Sequence, residues 1–143
     1  MNSIRTDWVV LDTNEFVFGI RGDSRHLNSE KLLTEGLPLL RVIVPLQILT
    51  EVTRNLATSE LKAFYQALES VAELGWEFSP PDSQLIRRYT DLGAKKGDAI
   101  IAAHLDSLNV QWLISENRHF LSEIQNLPFK VITSTEALAL LDV

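Results

Sequence analysis

Two periodicities share this chain. Five short runs rich in β-branched and aromatic residues read as strands: Trp8-Val9-Val10-Leu11, Arg41-Val42-Ile43-Val44, Trp76-Glu77-Phe78, Gln111-Trp112-Leu113-Ile114 and Phe129-Lys130-Val131-Ile132. The first, second and fourth are nearly continuous rather than alternating, the pattern of strands covered on both faces. Between them apolar residues recur at helical spacing. Pro45 to Leu56 opens on a proline suited to a first turn and sets Leu49, Val52 and Leu56 on one face. Ser59 to Leu74 carries Leu61, Phe64, Leu68 and Val71 at the same spacing, with Ser59 as N-cap. Pro81 to Leu92, Asp98 to Leu108 and Ser134 to Leu141 read likewise. From Asn14 to Leu40 the pattern suggests one or two helices joined at Gly22-Asp23-Ser24. Strands alternating with helices predict a three-layer α/β/α sandwich with a mainly parallel sheet of four or five strands and right-handed crossovers.

Composition narrows this picture. The 143 residues predict one domain over 1–143 with a single hydrophobic core. There is no cysteine, which excludes disulfides, thiolate metal sites and a cysteine nucleophile. No apolar run reaches the roughly 18 residues that cross a bilayer, and MNSIRTDWVV lacks the apolar core of a signal peptide. The expectation is a cytoplasmic protein with no membrane partner. The formal charge of −6 argues against nonspecific grip on duplex phosphates. It leaves room for an enzyme whose carboxylates hold metal ions.

In a parallel α/β sheet every strand C-terminus and every helix N-terminus lie on one edge, where ligands bind. Asp12 ends the first strand, Glu51 lies in the helix after the second, and Asp98 opens the helix before the fourth. Ser115, Glu116 and Asn117 follow the fourth strand directly. Each has an ordinary reading as well. Asp12 and Asp98 suit helix N-caps, Glu51 a solvated helix face, and Asn117 a turn. Their convergence carries the functional reading. Carboxylates that face one another repel unless a cation lies between them, and oxygen ligands without cysteine favour Mg²⁺ or Mn²⁺. Metal-assisted hydrolysis of a phosphodiester is the expected reaction.

The segments VVLDTNEF, LTEVTRNL, KKGDAIIAAHL and LISENRHF resemble the successive motifs of the PIN domain, the nuclease domain of VapC-type toxins, over roughly Trp8 to Leu141. The resemblance implies an acidic cluster that binds Mg²⁺ or Mn²⁺ and cleaves single-stranded RNA, a cognate antitoxin, and a homodimer packed through helices. Carried over by motif, Asp12, Glu51 and Asp98 correspond to the three central acidic residues. At the fourth position this chain has Asn117, with His119 where a further acid often stands and Glu116 as a substitute of different orientation.

Lys95, Lys96 and Arg54 flank the site and suit either phosphate contacts or solvated surface. His104 reads as structural, and Trp8, Trp76 and Trp112 as core. Three other classes compete. A haloacid dehalogenase-type phosphatase needs a second acid at position 14, which is Asn14. A receiver-like switch fits poorly with Ser79-Pro80-Pro81-Asp82 after the third strand. A degenerate PIN domain that binds RNA or protein without cutting is the principal alternative.

Overall fold

The computed structural model describes residues 3–117 and 126–143. Five parallel strands form one sheet: β1 (Trp8–Leu11), β2 (Arg41–Pro45), β3 (Glu73–Glu77), β4 (Trp112–Ile114) and β5 (Lys130–Ile132), in the order β3-β2-β1-β4-β5. The chain winds outward from β1 to β3 and then crosses to the opposite side, so the strand order reverses between β1 and β4. Right-handed crossovers with this order put helices on both faces, giving the predicted three-layer sandwich. Val9, Val10 and Leu11 of β1 and all of β4 are buried, which is why those runs carry almost no polar residue.

Seven α-helices are formed among the described residues: α1 (Thr13–Arg21), α2 (Leu27–Lys31), α3 (Leu46–Asn55), α4 (Thr58–Glu69), α5 (Ser83–Asp91), α6 (Lys96–Ser107) and α7 (Ser134–Leu141). The expected turn after α1 is made by Gly22, whose φ of 63° is left-handed and whose N–H donates to Gly19. After α2 the chain tightens through single π and 3₁₀ turns at Leu32–Gly36 and Leu37–Leu39 before entering β2. Helix α1 packs on α2, α3 and α4, while α5 packs on α6.

Several expectations are corrected. The third strand begins at Glu73, not Trp76, and α4 stops at Glu69 rather than running to Leu74. Val71 and Leu74 continue the helical spacing, but the register Arg41↔Glu73 to Pro45↔Glu77 claims residues 73–77 for the sheet. This is an edge strand, so it lacks the continuous apolar run that reveals a central one. Trp76 is accordingly 42% exposed, with Phe78 beside it, and is not core. Trp112 is core and donates its indole N–H to Asp7, whereas Trp8 is half-buried beneath the Arg41 guanidinium. Ser59 is not the cap of α4: Ala57 occupies that position and its N–H donates to Glu60. Pro45 closes β2 as the residue before α3 instead of opening the helix.

Candidate active site

The C-terminal ends of β1 and β4 are neighbours at the point where strand order reverses. Asp12 projects from the first and Ser115 from the second, and the Ser115 hydroxyl donates to Asp12 Oδ2 at 2.7 Å. Asp12 also caps α1, accepting the Thr13 N–H on Oδ1 at 2.8 Å. The helix cap and the candidate site residue are therefore the same side chain. Both oxygens are held, and the group is buried.

Glu51 reaches the same edge from α3. Its Oε1 accepts from the Thr13 hydroxyl at 2.8 Å and its Oε2 from Gln47 Nε2 at 2.7 Å. Gly97 lies against this carboxylate, since a Cβ there would stand 3.1 Å from Glu51 Oε2. Asp98 follows as the third residue of α6, inside the helix rather than at the cap, which is Lys95. The Asp98 carboxylate forms no hydrogen bond among the described residues.

Two of the three carboxylates carry the influence of their neighbours. Burial raises Asp12 above its usual value, the Ser115 and Thr13 bonds oppose that rise, and the charge on Glu51 adds to it. Asp98 is pushed up to about 6, first by burial and then by Asp12 and Glu51, with exposed Lys95 offsetting part. Asp12 and Asp98 thus share one negative field with Glu51. Asn117 is half-buried, its N–H donating to Ser115 Oγ at 3.1 Å. His119 lies outside the described residues.

Sequence reasoning missed a second carboxyl pair beside this cluster. Glu15, on the inward face of α1, has no exposed surface and accepts from Ser29 Oγ at 2.9 Å. Burial and the adjacent Glu116 push Glu15 up to about 9, so at neutral pH it keeps its proton. That O–H supplies Glu116 with a hydrogen bond and accounts for the Glu15 Oε1 atom that no other group partners. Burial alone would raise Glu116, but bonds from Glu15 and from the Ser134 hydroxyl and N–H hold it below its usual value. Glu116 is engaged with α7 and Glu15, not with Asp12. Position 15 carried a detectable signal, because a Glu beside Phe16 and four residues before Gly19 falls on the helix face that must be buried.

Among the described residues, no three Asp, Glu or His side chains stand in metal-ligating proximity. The donor chemistry nevertheless suits a hard divalent cation: carboxylate oxygens, no thiolate, and mutual repulsion that a cation would relieve. His104 is no part of this set. It is buried in α6, and burial lowers its pKa, as a structural histidine's would be.

The family model of the PIN domain matches residues 9–126. Solved structures share the fold, among them the following two. VapBC2 from Rickettsia felis, bound to a DNA fragment from its promoter, aligns at 21% identity over 88% of this chain and 98% of the other, with a TM-score of 0.57. PAE2754 from Pyrobaculum aerophilum aligns at 12% identity over 99% and 100%, with a TM-score of 0.56. No curated protein matches the chain.

Proposed function

Since the chain belongs to the PIN domain family, whose members are generally nucleases that use divalent metals, we propose that it is a single-domain, Mg²⁺- or Mn²⁺-dependent endoribonuclease cutting single-stranded RNA. The observation that carries this reading is the shared field of Asp12, Glu51 and Asp98 at the sheet's reversal point. Held by Asp12, Glu51 and Asp98, a divalent ion would supply positive charge for a phosphate and acidify a water. The protein's own part is to prepare the ligands. Asp12 is fixed in orientation by Thr13 and Ser115 and serves as the most rigid donor. Glu51, held from both sides by Thr13 and Gln47, acts through water. Asp98 is the third ligand, a carboxylate crowded by Asp12 and Glu51 whose repulsion a bound cation would relieve.

The same reading gives the protein an antitoxin partner, with the VapBC2 neighbour as support, and a homodimeric state, checked by light scattering against the 16.1 kDa chain mass. A cytoplasmic site of action belongs to the same proposal; among the described residues no helix is long and apolar enough to cross a membrane. The nuclease is tested with single-stranded RNA and Mn²⁺. Native protein cleaves, chelation stops it, Asp12→Asn abolishes it and Glu51→Gln weakens it strongly. Full activity in Asp12→Asn would remove the mechanism. Retained RNA binding without cleavage by the native protein supports the second reading, a non-catalytic PIN module, which the uncharged Asn117 favours.

A further inference from the structure

Next to the acid cluster the surface opens into a cavity of about 270 Å³ lined by Thr13, Asn14, Val17, Phe18 and Asn55. Thr13 belongs to both places, since its hydroxyl is the donor that holds Glu51. Whatever occupies the cavity therefore lies one side chain away from the acids. Its volume equals the liquid share of about nine waters, room for one planar ring system.

The lining suits a neutral heterocycle better than a phosphate. None of the five residues is cationic, and the neighbouring Arg21 guanidinium is already paired with Glu60 and the Asn55 carbonyl, so the lining itself offers no charge for an anion beside three carboxylates. Val17 and Phe18 supply apolar wall, and the Phe18 ring is held by stacking on His26 with centroids 3.8 Å apart and planes 3° from parallel. Asn55 Nδ2 donates to the Glu51 carbonyl at 2.7 Å, which fixes the amide and leaves Oδ1 without a donor among the described residues. Asn14 is half-buried, and its amide makes no hydrogen bond among the described residues. An amide offering both a donor and an acceptor is the side chain that matches a base edge in two places.

We propose that this cavity receives one unstacked nucleobase of single-stranded RNA, adjoining the phosphodiester held at the acid cluster, with Asn14 and Asn55 reading its edge. The inference rests on RNA being the substrate, and it gives the site a base preference that the acids themselves lack. Only an unpaired strand can deliver a base there, because a paired base keeps its edge and faces inside the helix.

The test follows the side-chain amide resonances of Asn14 and Asn55 during titration with short homopolymeric RNAs of each of the four bases, without divalent metal. The expected result is movement of both signals with one or two of the four, and about tenfold weaker binding of those RNAs to Asn14→Ala. Asn14 has no partner to lose, so this variant keeps the fold. Unmoved signals with all four RNAs overturn the proposal, as does an Asn14→Ala protein with unchanged preference. The two readings separate cleanly. Cleavage with unmoved signals removes the base pocket and keeps the nuclease, whereas moved signals without cleavage keep the pocket and remove the nuclease.

Discussion

Glu15 is a protonated carboxyl locked inside the protein, and it ties stability to pH. Its folded pKa is raised from 4.5 to about 9, so folded and unfolded chains both hold the proton in acid, and only the folded chain holds it at neutrality. Stability from this group is complete below pH 4.5 and is lost as pH rises toward 9. Asp98 acts with the same sign over the narrower span from 3.8 to about 6. Metal-free protein should therefore melt at progressively lower temperature between pH 5 and pH 9. Glu15→Gln, which keeps the shape and stays neutral, should flatten most of that slope and melt higher than native protein at pH 9. Equal slopes in the two proteins would contradict the buried proton. Asn117 tests charge in the other direction. Asn117→Asp adds a full negative charge with little change of volume, so calorimetry should show a second Mn²⁺ bound more tightly than in the native protein. Equal stoichiometry and affinity would leave Asn117 as a turn residue.

Helices α3 and α6 meet at the site through a residue with no side chain. Gly97 lets the backbone of α6 approach Glu51 Oε2, where a Cβ would stand at 3.1 Å. Gly97→Ala should raise intrinsic helix stability by up to about 1 kcal/mol while making the Glu51 carboxylate shift against its Thr13 and Gln47 donors. The expected outcome is a melting temperature no lower than native with Mn²⁺ affinity reduced several-fold, read by melts with and without the ion. At this scale the chain was only partly legible. Central strands announced themselves because burial on both faces demands continuous apolar runs, and that placed Asp12 and Ser115 correctly. The edge strand β3 did not, since half-exposed residues from Glu73 to Glu77 carry no such demand. Asp98 was found at the right edge but one turn deeper in its helix than a cap, because Lys95-Lys96 contains no side-chain acceptor to mark the start. Glu15 was passed over because a buried acid contradicts the composition rule by which inward faces are recognised.

For the molecule as a whole, the proposed metal site would set proton and metal in competition for the same cluster. Repulsion that raises Asp98 to about 6 disappears when a cation is bound, so the melting shift produced by millimolar Mn²⁺ should be larger at pH 8 than at pH 5. A shift that is constant with pH would place the ion elsewhere. The hydrogen bond between Ser115 and Asp12 joins residues 103 positions apart, and this has a consequence in time. A ribosome delivers roughly 5–20 residues each second, so several seconds pass between the emergence of Asp12 and that of its partner. Throughout that interval β1 lacks its β4 neighbour, and the Asp12 carboxylate has only one of its two fixing donors. On the proposed reading the nascent chain would thus be inert beside its own message, because the Ser115 donor is absent until residue 115 has left the exit tunnel.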